Sequence, residues 1–195
     1  MSVIRFLKRK VLKPLARGLL IMPFYLVYEK KYLKSKWFNI DYFFIYGFKW
    51  LKTCFFQQKI LGINKNIRFP CNRFVDIASS EKINFDIDDI QNFTCGFGNY
   101  YQNFSGNITL GKGTYIAHNV AIITANHDFY NLDKHYPPKD VIIGNDCWIG
   151  INSSILPGTV LGNHTIVGAG SVVTKSFPDG NCIIAGNPAK VIKLL

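Results

Sequence analysis

From residue 104 to residue 177 one class of residue returns at every sixth position. Phe104, Leu110, Ile116 and Ile122 hold the place first, then Ile143, Ile149, Ile155, Leu161, Val167 and Val173 after an interruption. Four positions after members of the second run stand small residues, Cys147, Ser153, Thr159, Thr165 and Ser171, until Phe177 breaks the series. Glycine follows the bulky residue directly at 111, 144, 150, 162 and 168. A period of six is neither the 3.6 of an α-helix nor the 2 of a lone strand. It predicts a solenoid of short strands, with one bulky residue per face filling the axis and a small one at the corner. Glycine is expected where the turn asks for positive φ. Three hexads make one triangular coil, and successive coils stack at the strand spacing of about 4.8 Å.

The rest of the chain lacks this rhythm. Arg5, Arg9, Lys13 and Arg17 recur every four residues, and Ile4, Leu7, Val11 and Leu15 recur three or four apart on another face. That is the pattern of an amphipathic helix, which Pro14 should kink or end. Tyr42, Phe43, Phe44, Tyr46, Phe48 and Trp50 then form a dense aromatic cluster beside Lys36, Lys49 and Lys52. Residues 61–103 carry β-prone fragments (Ile67–Phe69, Ile83–Ile87, Phe93–Thr94) without a steady period and read as irregular lead-in coils. Residues 128–142 interrupt the hexads with polar, aromatic and Pro-Pro sequence, a long loop of the kind that usually serves function. The expected organisation is a helical arm over 1–60 and a β-coil domain over 61–195, its regular hexads at 104–177 and a tail at 178–195.

Charge sharpens this division. The net charge of +11 lies entirely in residues 1–60, which hold 13 Lys and Arg against Glu29 and Asp41; residues 61–195 are neutral. The same 60 residues contain 15 of the 29 aromatics. A neutral coil domain lacks the basic face that nucleic acid requires. The arm admits two readings: a segment lying in an anionic headgroup layer, or a cap whose aromatics pack on the coil while its lysines face water. Five cysteines without C-x-x-C spacing argue against a disulfide framework or a zinc ribbon. The apolar run Leu19–Val27 is short, is interrupted by Pro23 and lacks a small-residue cleavage site. The expected location is the cytoplasm, peripheral on the inner membrane face if the arm binds lipid.

The hexads resemble those of the hexapeptide-repeat acyltransferases, in the branch that holds galactoside, maltose and polysaccharide O-acetyltransferases. The likeness spans 104–193 and is carried by Ile143-Gly-Asn-Asp-Cys-Trp-Ile-Gly, Ile155-Leu-Pro-Gly-Thr-Val-Leu-Gly, Val167-Gly-Ala-Gly-Ser-Val-Val-Thr-Lys and Ala185-Gly-Asn-Pro-Ala-Lys. It implies a mainly β fold, a left-handed parallel β-helix; general topology alone would favour right-handed crossovers. It also implies a homotrimer, acetyl-CoA as co-substrate without a metal, and active sites between neighbouring coils. The loop at 128–142 would wall the acceptor site of an adjacent subunit.

His127 ends the hexad Ile122-Ile-Thr-Ala-Asn-His at the mouth of the loop. Attack of a sugar hydroxyl on a thioester needs the alcohol deprotonated as it reacts, and imidazole is a base near neutrality. The resemblance places the family's catalytic histidine at the same point. It further implies that the backbone amide of Ile151 serves the oxyanion, where the family often has a small polar residue. Trp148, Ala169, Thr174 and Lys175 would flank the pantetheine and nucleotide. Lys190 and Lys193 stand where arginines commonly meet CoA phosphates. Asn103, in a segment shortened by one hexad relative to the family, would hold the acceptor. Asp128 and His135, on the loop, are further acceptor candidates. His118, within a hexad, and His164, in a turn, lack with His127 the H-x-x-x-x-H spacing of the zinc-binding relatives of this fold.

The function expected is transfer of acetyl from acetyl-CoA to a sugar or glycan hydroxyl in surface-polysaccharide building. Three alternatives stay open: N-acetylation of an amino-sugar nucleotide, acetylation of a small galactoside or antibiotic, and a catalytically degenerate scaffold at the membrane.

Overall fold

In the computed structural model residues 7–195 are described, without the side chains of Lys8 and Arg9; Ile4 and Arg5 lie outside the described residues. Fourteen strands wind into a three-faced coil. Face A stacks β1 (Val75–Ile77), β3 (Asn99–Gln102), β6 (Ala121–Ile123), β9 (Ser154–Ile155) and β12 (Val172–Val173). Face B stacks β2 (Ile83–Asn84), β4 (Ile108–Leu110), β7 (Val141–Ile143) and β10 (Val160–Leu161). Face C stacks β5 (Tyr115–Ile116), β8 (Trp148–Ile149), β11 (Thr165–Val167), β13 (Cys182–Gly186) and β14 (Ala189–Leu194). All neighbours pair parallel except the closing hairpin β13–β14. The axis is filled by Leu110, Ile116, Ile122, Ile143, Ile149, Ile155, Leu161, Val167 and Val173, all buried.

Three expectations change in detail. Phe104 is not an axis residue: its ring is 43% exposed, and Tyr101 fills the core of that strand instead. The register therefore begins at Leu110. The coil also starts earlier than the regular hexads, because β1 and β2 already supply two faces and the short helix Gln91–Thr94 takes the place of a strand on the third. Of the β-prone fragments only Ile83–Asn84 is a strand; Phe93–Thr94 is helical and 67–69 is neither.

The third change concerns glycine. Gly111, Gly144, Gly150, Gly162 and Gly168 do not adopt positive φ; within the hexads that conformation falls at Gly113, Asn119, Asp146, Asn152, Gly158, His164 and Gly170. The corner glycines are needed because the next coil leaves no room for a Cβ. One on Gly162 would sit 2.2 Å from the carbonyl oxygen of Pro178, and one on Gly111 2.4 Å from Gly144. The small residues at the inner corner use the same closeness. Thr165 and Ser171 donate to the carbonyls of Gly162 and Gly168 at 2.7 and 2.6 Å, and Ser153 also reaches Gly168. Burial of these hydroxyls is thereby compensated.

The N-terminal part folds onto the first coils. Pro14 stands inside a continuous helical run and does not end it: the π-helical turn Lys8–Leu12 leads directly into the α-helix Lys13–Ile21, so the disturbance is a change of helix type just before the proline. A second helical run, 40–60, is capped by Asn39, whose side chain accepts from the amides of Asp41 and Tyr42. Tyr28, Tyr32, Leu33, Phe38, Phe43 and Leu51 are buried in one core with the coil. An aromatic chain, Tyr32–Phe69–Phe93–Tyr101, links the two with centroids 5.0–5.4 Å apart. Gln58, fully buried, accepts from the Tyr28 hydroxyl and the Cys71 amide and donates to carbonyls on 64–69. Trp37 donates its indole N–H to Asp88 and Gln91. The apolar face expected of the first helix stays open: Leu7, Val11 and Leu15 are exposed, whereas Arg17 is half-buried and donates to the Phe38 carbonyl.

Candidate active site

β6 carries the chain to the corner between faces A and B, where the hexads stop and His127 opens the long loop. The loop is a folded hairpin. Its two limbs bridge at His127 and His135, Tyr136 donates its amide to Asn126 at 2.9 Å, and Asp128 donates to Lys134 at 2.9 Å. Asp128 holds the tip: one carboxylate oxygen accepts from the amides of Tyr130 and Asn131 at 2.8 and 3.2 Å. At the foot, the Asp140 carboxylate accepts from the Asn107 amide and side chain, which holds its carboxyl below the usual range.

His127 is exposed, and its Nδ1 lies 2.6 Å from the carbonyl oxygen of Leu132. A carbonyl can only accept, so Nδ1 is the donor, and in the neutral ring the lone pair is on Nε2. His135 packs against the same ring at 4.2 Å between centroids, and Phe104 meets His135 edge to face at 5.1 Å. Thr174 and Lys175 lie along this same edge, both exposed, because β12 continues face A in register with β9 and β6. Asn103 reaches the edge too, but its side chain is fully buried. It accepts from the Ser79 amide at 2.9 Å and donates to the Ser79 carbonyl at 2.7 Å.

The remaining candidates stand at the far end of face A and on face C. The Ile151 carbonyl accepts from Gly170 at 2.8 Å, which sets Ile151 beside Ala169 at the corner between faces C and A. Among the described residues the Ile151 amide donates to no backbone acceptor. Trp148 is exposed in a row that sequence reading did not assemble: Tyr115, Trp148, Ile166, Ile183 and Lys193 are register partners across face C. Lys190 pairs with Ala185 on the same hairpin. Asn152 donates to the His118 carbonyl, so Ile151 is level with the start of the face that His127 ends. The two are thus separated by one six-residue face, about 20 Å. One chain does not bring His127 and the Ile151 amide together; it presents them on two edges. The Leu132 carbonyl, a backbone group delivered by the fold of the loop, left no signal in the sequence. Tyr115 did leave one, standing directly before Ile116 as Trp148 stands before Ile149.

A three-faced coil of hexads, interrupted by a loop that fixes one histidine, defines a hexapeptide-repeat transferase. Residues 140–175 match the family described as bacterial transferase hexapeptide (six repeats). WbbJ of Escherichia coli K12, provisionally named a lipopolysaccharide biosynthesis O-acetyl transferase, is 36% identical over 163 residues, 65% of this chain and 77% of WbbJ. The galactoside O-acetyltransferase of the same organism is 36% identical over 106 residues; the match covers 49% of this chain and only about half, 51%, of that enzyme. Among solved structures, the hexapeptide-repeat acetyltransferase VCA0836 of Vibrio cholerae, complexed with acetyl coenzyme A, shares the fold. Its TM-score is 0.50 at 24% identity, over 60% of this chain and 62% of that one. The chain belongs to the hexapeptide-repeat acyltransferases, in the O-acetyltransferase branch, and its coil is the parallel β-helix of that family. It is an acyltransferase of that family.

Proposed function

We propose that this enzyme moves the acetyl group of acetyl-CoA to a sugar hydroxyl in the building of a surface polysaccharide. The observation that carries the proposal is the bond from His127 Nδ1 to the Leu132 carbonyl, which leaves Nε2 as a fixed base at an open edge. Nε2 takes the hydroxyl proton as the oxygen attacks the thioester carbonyl. The Ile151 amide stabilises the tetrahedral oxyanion, and the CoA thiolate leaves, taking up the proton. No covalent acyl-enzyme is needed. Trp148, Ala169, Thr174, Lys175, Lys190 and Lys193 are assigned to acetyl-CoA; Asn103, Asp128 and His135 to the acceptor side, with Asn103 acting through its hold on Ser79 and Asp128 through its hold on the loop tip. Because base and oxyanion donor stand one face apart, the working unit is a homotrimer that joins the His127 edge of one copy to the Ile151 edge of the next. The relationship to WbbJ favours a lipopolysaccharide-type acceptor over a free galactoside or an amino-sugar nucleotide. The test is labelled acetyl-CoA with a panel of glycans read by mass spectrometry. Wild-type protein labels a glycan, and His127→Ala lowers the rate by about 10²–10⁴. Near-wild-type activity in that variant would remove His127 from the role.

A second reading concerns place. The helix Lys13–Ile21 and its continuation keep Leu15, Leu19, Met22 and Leu26 exposed, Leu26 at 91%, on a segment that carries Lys13 and follows Arg5, Lys8, Arg9 and Lys10 in the chain. No helix among the described residues is long and apolar enough to cross a membrane. We infer that this surface rests on an anionic leaflet at its cytoplasmic face, where each basic residue contributes about 1 kcal/mol. Full-length protein then sediments with anionic vesicles, less as salt rises, and Leu19→Glu with Leu26→Glu abolishes it; indifference to anionic vesicles at low salt contradicts it.

A further inference from the structure

We propose that the open cleft of about 570 Å³ beside the first coil is a second carbohydrate subsite, holding sugar units of the acceptor next to the one that is acetylated. The inference rests on the acceptor being a glycan. Polar groups line the cleft, chiefly Lys65, Asn66, Ser79 and Ser80 with the Arg68–Glu81 ion pair, over a floor that includes Ile67 and Ile77. Amides, hydroxyls and charges over an aliphatic floor suit a ligand that offers hydroxyls on its rim and C–H bonds on its face.

The cleft lies on the same edge as His127. β1, β3 and β6 are hydrogen-bonded neighbours, so the segments after them, Ala78–Ser79, Asn103–Phe104 and 124–127, follow one another along the corner of faces A and B. The links are direct. Ser79 is tied to Asn103 by two hydrogen bonds, Lys82 donates to the Phe104 carbonyl at 2.9 Å, and Phe104 contacts His135, which packs on His127. Two strand spacings, about 10 Å, separate the cleft from the base, more than one pyranose ring reaches. The exposed Phe104 ring between them offers a face on which a sugar can stack.

The walls are preformed. Asn64, held at φ +56°, donates to the carbonyls of Asn72 and Val75 at 2.9 and 2.8 Å, and the Ser79 hydroxyl accepts from the Glu81 amide. A rigid site that touches only the non-reacting units of an acceptor raises turnover of long acceptors over short ones.

The experiment takes the glycan labelled in the panel, hydrolyses it, and fractionates it into pieces of one to six sugars. Wild-type kcat/KM rises about tenfold or more between one sugar and three. Ala78→Trp, which fills the cleft from an exposed position, removes the rise and leaves the one-sugar rate within about twofold, a rate that also reports intact folding. Lys65→Ala lowers the long-acceptor rate less. Rates independent of length, or an equal loss at every length in a folded Ala78→Trp protein, overturn the subsite while the acetyltransferase reading stands. Absence of transfer to every glycan overturns both.

Discussion

The regular coil and the helical cap are built by opposite means. In the coil each residue's task is set by its place in the hexad, so Ile143, Ile149 and Ile155 do the same work on successive faces, and a corner glycine is required because another coil lies above it. In the cap every contact is made once: Gln58 gathers five partners, Trp37 reaches Asp88 and Gln91, and Tyr32 stacks at 15° on Phe85. Repetition makes the coil insensitive to what lies several turns away. Its open first end would still expose apolar axis residues, and the cap covers it. Between the two runs the seam Phe69–Phe93–Tyr101, where repeated and unrepeated structure share one core.

That seam is where the comparison breaks most visibly. Tyr101→Ala removes a fully buried ring and is expected to cost about 3–5 kcal/mol in thermal or denaturant unfolding. Phe104→Ala, three residues on and half exposed, costs under about 1 kcal/mol; equal losses would restore Phe104 to the axis. Within the coil, Gly162→Ala is expected to cost about 2–3 kcal/mol through its clash with Pro178. Gly170→Ala has open space around it and bears only the left-handed strain of φ +68°, about 1 kcal/mol. A reversed order would mean that the corner glycines serve conformation rather than stacking.

Much of the coil was legible because periodicity is a signal that many residues repeat. The small inner residues at 147, 153, 159, 165 and 171 are buried as the spacing requires. Phe104 misled because it sits at a hexad position by number while the strand before it runs Asn99–Gln102 and places Tyr101 inward. The glycine pattern was legible and its cause was not, since the sequence does not show how closely coils approach. The place of His127 at the mouth of the loop was readable from the broken rhythm, but the carbonyl that its Nδ1 meets depends on the fold of the loop. The separation of His127 from Ile151 required the topology. Cap contacts such as Gln58 with Tyr28 follow no period, and only their residue types hinted at burial.

The central claim is that each site is completed by two copies, one giving the His127 edge and the other the Ile151 edge. Co-assembly of two inactive variants tests it directly. His127→Ala damages the first edge, and Ala169→Trp, at an exposed corner beside Ile151, blocks the second. Random mixing in a closed ring gives about one intact edge pair in four, so the mixture should recover about a quarter of wild-type acetyl transfer while each variant alone stays inactive. A mixed assembly as inactive as its parents would place the whole site within one chain and contradict the account.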